Sequence, residues 1–246
     1  MPKQQPRPAE KIVQAVALRA LEEVFALSKR RLRFSKLGMG KYISHLDLLR
    51  TFQRAIVRAE LPVKFTQGFN PHQIISFALP LPIGVTSETE FVDIDFDEKC
   101  DNETIIKKLN ENLPYDLKII DAQIPQIHPK EITYCEYEIK VKTDKINIEK
   151  IKNFFEEKEI LAMKKTKKGE KEINIMEMIK SFELVNSSED EAELKLIISA
   201  GEMNSLKPDI VTKAMEKYLG IDEFKSTQIH RTKIFCGVDE KIKDFC

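Results

Sequence analysis

The residues that could do chemistry are concentrated between positions 44 and 73. Ser44-His45-Leu46-Asp47 opens a run of helical periodicity, and within that run Arg50, Arg54 and Arg58 recur every fourth residue. Side chains four apart share a helix face. The three guanidinium groups therefore form one stripe, opposite an apolar face of Leu48, Leu49, Phe52, Ile56 and Ala59. The planar fork of arginine suits bidentate contact with phosphate better than the lysine ammonium does. Only Asp47 and Glu60 lie within helical reach to neutralise the stripe. Phosphate contact is the chemical account of this pattern, and a solvated charged face is the plainer one. Ser44-x-x-Asp47 has the form of a capping box, in which each side chain satisfies a free amide of the first turn. That explains Asp47 without chemistry. The chemical alternative makes His45, Asp47 or His72 a general acid or base.

After this helix comes Thr66-Gln67-Gly68-Phe69-Asn70-Pro71-His72-Gln73. Gly68 and Asn70-Pro71 break the chain twice and set Phe69 and Asn70 in a turn. An aromatic ring so placed can stack on a base of single-stranded RNA, or it can plug the core beneath the turn. The stretch from Thr66 to Glu90 is long for a hairpin connection, and long ordered loops usually carry function. His45, Asp47 and His72 could in principle hold a metal, but no HxxxH or HxH pair accompanies them, so no metal and no cofactor is expected. Further on, Lys164, Lys165, Lys167, Lys168 and Lys171 surround Gly169 at a hairpin tip. Such a hairpin could grip a phosphate backbone or serve only solubility.

Composition limits the alternatives. The 246 residues are 42% hydrophobic and 33% charged, with 40 basic and 40 acidic side chains. The neutral total hides an asymmetry. Residues 1–71 carry fourteen basic side chains against five acidic ones, an excess of nine that the remainder must offset. A basic end on a neutral chain fits a localised anionic partner. Ile12 to Leu27 is interrupted by Arg19, Glu22 and Glu23, and no uncharged run approaches the roughly 18 residues of a membrane span. The four cysteines (Cys100, Cys135, Cys236, Cys246) form no CxxC pair and no iron–sulfur triplet. The expectation is a cytoplasmic protein with reduced thiols and no membrane contact. GxxxxGK[ST], GxGxxG and GxSxG are all missing, which removes the commonest nucleotide-binding and hydrolase readings.

The elements that must position these residues follow from periodicity and punctuation. Residues 1–8 read as a polar, proline-rich tail, and Glu10 to Arg30 as an amphipathic helix. Arg31–Lys36 reads as a strand, Ser44–Glu60 as a helix, Leu61–Thr66 and Glu90–Phe96 as strands, Asp101–Leu113 as a helix and Leu117–Ile124 as a strand. Pro125–Pro129 reads as a linker. The order then repeats: strand Tyr134–Val141, helix Ile148–Glu157, strands at Ile160–Lys165, Ile173–Leu184 and Ala192–Ser199, helix Pro208–Leu219 and strand Ser226–Phe235. Pro208 and Gly220 show the proline-first, glycine-after asymmetry of helix ends. The expected fold is α+β: two tandem ferredoxin-like (split βαβ) halves with an N-terminal helical extension. Their boundaries are an extension over 1–30, a first half over 31–125, a second half over 130–236 and a C-terminal tail over 237–246.

Four segments carry a family resemblance: Arg33-Phe34-Ser35-Lys36-Leu37-Gly38, Ile43-Ser44-His45-Leu46-Asp47-Leu48-Leu49-Arg50, Gly68-Phe69-Asn70-Pro71-His72, and Ser76-Phe77-Ala78-Leu79-Pro80-Leu81-Pro82-Ile83-Gly84. Over about residues 31 to 235 the chain resembles the bacterial radical-SAM-linked protein family, a domain of unknown function. It departs from that pattern at Gln73, where a proline is expected, and in its N-terminal extension. The resemblance implies a radical SAM protein as partner, because members are fused to one or stand beside one. It also implies RNA work, because the genes tend to neighbour those for ribonuclease E/G and a ribosomal protein. Three functions are compatible with these residues. One is an RNA-contacting accessory domain that presents tRNA or rRNA to a separate radical SAM enzyme. Another is an RNA-processing or RNA-modifying enzyme using His45, Asp47 or His72. The third is a protein-interaction scaffold without RNA contact.

Overall fold

A computed structural model describes residues 28–97, 100–166, 169–202, 204–237 and 242–246. The fold is mixed α/β, with a large mixed sheet and four helices among the described residues. The strands are β1 (Lys29–Lys36), β2 (Ile75–Phe77), β3 (Thr86–Asp95), β4 (Leu117–Gln123), β5 (Ile132–Lys142), β6 (Leu161–Thr166), β7 (Gly169–Asn174), β8 (Ile179–Ser187), β9 (Glu191–Ser199), β10 (Ser226–Cys236) and β11 (Lys243–Asp244). The helices are α1 (His45–Arg58), α2 (Asn102–Asn112), α3 (Ile148–Glu156) and α4 (Pro208–Leu219). No helix among the described residues is long and apolar enough to cross a membrane. The amphipathic helix expected over Glu10–Arg30 lies outside the described residues up to position 27, and its last two residues, Lys29 and Arg30, belong to β1.

Strand order runs β4-β1-β3-β10-β5-β9-β8, with β2 on β3 and β11 on β10, while β6 and β7 form a separate ribbon. The sheet continues across the middle of the chain through one short parallel contact, His230 opposite Thr86 and Arg231 opposite Ser87. Beyond it the two strands part. β2 takes over the edge of β3 at Val92–Ile94, and β11 takes over that of β10 at Phe235–Cys236.

Two apolar cores follow from the alternation of these strands. In the first, Leu32, Phe34, Val92 and Ile94 meet Phe52 and Ile56 of α1 and Ile105 and Leu109 of α2. In the second, Ile139, Val141, Leu194 and Leu196 meet Ile151 and Phe154 of α3 and Val211 and Met215 of α4. Each helix begins and ends where local chemistry directs. Asp101 accepts from the Thr104 amide (2.8 Å) at the start of α2. Asn147 accepts from the Lys150 amide (2.9 Å) at the start of α3. Gly220 closes α4 in the left-handed region, φ 74°, where a side chain would be strained.

Three expectations require correction. Leu61–Thr66 is not a strand of the sheet and supplies only isolated bridges, Val63 with Phe96 and Phe65 with Gln73. Gly68 and Asn70-Pro71 fold the chain back on itself, so Thr66 and Lys64 pair with His72 and Ile74 (both 2.8 Å), and β2 takes the place beside β3. Ile173–Leu184 is divided by a 3-10 turn at Met176–Met178, where the Asn174 side chain accepts from the Met176 amide (3.2 Å). The last residues are no tail: Phe245 is buried against Phe91, with ring centroids 5.4 Å apart. The Pro125–Pro129 connection is also anchored, since the Ile127 carbonyl accepts from Arg31 (2.8 Å).

Candidate nucleic-acid interface

Helix α1 is set by Ser44, whose hydroxyl oxygen accepts from the Asp47 amide (3.2 Å) and whose O–H donates to the Asp47 carboxylate (2.7 Å). The reciprocal arm of a capping box is replaced by this side-chain contact. The Ser44 bond, with Arg50 and Arg54 nearby, holds the Asp47 carboxyl below the usual carboxylate range. Asp47 also pairs with Arg50 (3.2 Å). Leu48, Phe52, Ala55 and Ile56 are buried, which turns Arg50, Arg54 and Arg58 outward. Leu49 is only half-buried, whereas Ala55, outside the face expected from sequence, is fully packed. Arg58 donates to the Asn112 carbonyl (2.6 Å) at the end of α2. Arg54 makes no ion pair among the described residues.

The stripe and the loop after α1 meet. Arg50, Arg54 and Arg58 form one wall of a cleft of about 450 Å³, and Phe65, His72 and Gln73 form the other. The loop wall is a small hairpin. The Thr66 hydroxyl lies 3.1 Å from His72 Nδ1 and accepts from the His72 amide (3.1 Å), closing a tip that presents Phe69 fully to solvent. Asn70 is exposed on the same tip and offers its carbonyl to His72 Nδ1 at 3.4 Å. The core-plug account of Phe69 is therefore wrong, because Gly68, with φ 129°, turns that residue away from the protein.

His45 lies elsewhere. It lines a larger cavity of about 1040 Å³ with Pro82, Gly84 and the first turns of α4, and its ring packs edge-on to Phe77 at 5.4 Å. His45 and His72 thus face different cavities, and no group of three or more His, Cys, Asp or Glu among the described residues is placed to hold a metal.

In the other half of the chain, Lys164 donates to the Ser205 carbonyl (2.6 Å), and Lys165 is exposed near Glu170 (3.9 Å). Lys167 and Lys168 lie outside the described residues. Sequence reading missed that Lys164 and Lys165 share a second cleft, of about 540 Å³, with Lys207, Lys213 and Lys217. The four-residue spacing of Lys213 and Lys217 on α4 was the available signal. It also missed that part of the N-terminal charge is internal, at Arg30, Arg31 and Lys36. Arg31 is 1% exposed and forms a bidentate pair with Asp93 (2.8 and 2.9 Å), roofed by the Phe245 ring at 4.3 Å. Lys36 is buried and donates to the Ile43 carbonyl (2.9 Å), with burial lowering its pKa and Glu90 opposing that. Glu90 accepts from buried Arg231 (3.1 Å), which also donates to the Tyr137 hydroxyl (3.2 Å). Burial pushes the neighbouring Cys135 thiol up to about 11.

Fold and site together define a mixed α/β protein with an arginine-lined cleft beside an exposed aromatic hairpin. A family model matches residues 29–208, and the chain belongs to that family, described as "Uncharacterized protein conserved in bacteria (DUF2344)". No curated protein matches the chain. Among solved structures it is similar to a chain of the "Crystal Structure of a Cbf5-Nop10-Gar1 Complex" at 8% identity and a TM-score of 0.46, covering 86% of this chain and 50% of that one. It is similar at 8% identity and TM-score 0.44 to a chain of the "Structure of H/ACA RNP bound to a substrate RNA containing 2'-deoxyuridine", covering 86% and 49%. An unknown protein from Galdieria sulphuraria aligns over 83% of this chain and 98% of its own, at 12% identity and TM-score 0.23. The chain spans about half the length of the first two.

Proposed function

We propose that this chain is an RNA-contacting accessory domain, holding tRNA or rRNA for a separate radical SAM enzyme. One observation carries the RNA reading. Arg50, Arg54 and Arg58 line a single cleft with Phe65, His72 and Gln73, beside the exposed Phe69. Guanidinium groups neutralise phosphates and exposed rings stack on unpaired bases, and this cleft combines both. Lys164 and Lys165, in the second basic cleft, extend the same chemistry. The radical SAM partner is supported by the sequence resemblance alone. A catalytic role for His45, Asp47 and His72 acting together is less well supported, since His45 and His72 line separate cavities. The domain reading that goes with this function is two ferredoxin-like halves. The orders β4-β1-β3-β2 and β10-β5-β9-β8 support it, each following the pattern of a split βαβ unit.

The test is RNA affinity as a function of salt. Replacing Arg50, Arg54 and Arg58 together with Gln keeps the fold, because the stripe lies opposite the buried face and Gln is nearly as good a helix former. The variant is expected to lose affinity at low salt. Its salt slope should fall by about 0.7 log unit per single-strand phosphate contact removed. Phe69→Ala should weaken binding by about 1–3 kcal/mol with the slope unchanged. Affinity and slope unaltered in the arginine variant would leave a protein-interaction scaffold as the better reading.

A further inference from the structure

We propose that the arginine-lined cleft receives one unpaired base of a single-stranded RNA, with Phe65 stacking on the base and Gln73 reading its edge. This rests on the RNA reading above and adds the substrate class, single-stranded rather than duplex, and the residues that select it. Phe65 and Gln73 are bridge partners across the small hairpin. Side chains directly opposite on paired strands lie on one face about 5 Å apart, and both face the cleft. Phe65 is an aromatic ring left 51% exposed in that wall. Gln73 is only 8% exposed, yet its amide is poorly used. Nε2 makes one long contact to the Gln53 carbonyl (3.5 Å), and Oε1 has no hydrogen-bond partner.

A buried amide with a free end is unfavourable, and a partner that satisfies it offsets that cost. Gln73 lines the cleft and the last torsion of glutamine is broad and two-fold, so in the proposed complex the amide turns toward a base bound there. There it offers one donor and one acceptor side by side, the complement of the amino and ring nitrogens of adenine. In an A-form duplex the base faces are stacked and the adenine N6/N7 edge lies in a groove too deep and narrow for side chains, so only an unpaired base can use both residues. Arg50, Arg54 and Arg58 then meet the flanking phosphates.

The probe is a short adenine-containing RNA labelled with fluorescein at one end, with the same strand annealed to its complement as control. By fluorescence anisotropy the unmodified protein should bind the single strand more tightly than the duplex. Phe65→Leu and Gln73→Leu should each weaken single-strand binding by about 5- to 150-fold with an unchanged salt slope. Leucine at 73 removes the unpaired amide without a large volume change, and Phe65 is half exposed. Thermal melting checks that both variants fold, and Phe65→Leu carries the test if Gln73→Leu does not. Single-strand affinity unaltered in both variants, or equal affinity for duplex and single strand, overturns the base site. If the arginine variant still loses affinity in that case, the RNA reading stands alone. No RNA affinity in the unmodified protein overturns both.

Discussion

At the scale of single residues, the charges that define this protein divide into those turned outward and those sealed inside. Arg31 and Asp93 sit opposite each other in the β1–β3 register, on the face away from α1 and α2. Phe245 and the Ile127 carbonyl close over them. Removing one member of such a pair leaves an uncompensated buried charge, which costs about 3–5 kcal/mol. Asp93→Ala should therefore destabilise the protein by about that much in urea unfolding. The paired replacement Arg31→Met with Asp93→Leu should cost clearly less, because no charge then remains to be desolvated. A double-variant loss as large as that of Asp93→Ala would mean that the guanidinium contacts, rather than the stranded charge, set the cost. The same sealing explains why a net charge counted along residues 1–71 overstates the anion-attracting surface. Arg30, Arg31 and Lys36 are all buried.

At the scale of elements, α1 presents the candidate interface, and its first turn fixes where that interface begins. Ser44 both caps the helix and holds Asp47, which in turn contacts Arg50. Ser44→Ala should cost about 1 kcal/mol of stability by chemical denaturation. Ser44→Thr, which keeps a hydroxyl to accept from the Asp47 amide and donate to its carboxylate, should recover most of it. Loss of the cap should leave the buried face of Phe52 and Ile56 in place, so the helix persists with a frayed start. The segment that follows α1 carries the period of a sheet strand without forming one, for a local reason. Apolar residues at Leu61, Val63 and Phe65 alternate as a strand would, but Val63 makes only an isolated bridge to Phe96, and the turn at Gly68 and Asn70-Pro71 pairs Lys64, Phe65 and Thr66 with Ile74, Gln73 and His72, six to ten residues away. Phe65 therefore lines a cleft, whereas Leu61 and Val63 pack into the first core.

At the scale of the whole molecule, the two groups of strands are joined by the two-residue parallel contact between β3 and β10, and by what fills the gap where those strands part. β11 and Phe245 fill it from the far end of the chain, with Phe245 packed on Phe91 and beneath Arg31. Phe245→Ala should destabilise the fold by about 3–5 kcal/mol, the range for truncating a buried aromatic ring. It should also increase proton exchange of the amides of β3 and β10 around Thr86–Phe91 and Arg231–Phe235. Unfolding indistinguishable from the unmodified protein would show that the segment lies on the surface in solution.

What the sequence by itself determined is whatever depends on neighbours close along the chain. Helical spacing placed Arg50, Arg54 and Arg58 on one outward stripe, Pro208 and Gly220 bounded α4, and Ser44 marked the start of α1. Most of the alternation of strands and helices was legible for the same reason, but not the second strand, which lies at Ile75–Phe77 and not at Leu61–Thr66, nor the break in Ile173–Leu184. Only the tertiary structure decided that His45 and His72 face different cavities, that Phe65 and Gln73 complete the arginine cleft, and that Phe245 closes over Arg31. These are contacts between segments far apart in sequence. They depend on which strand edges meet and how the chain turns between them, and neither composition nor periodicity records such long-range pairing.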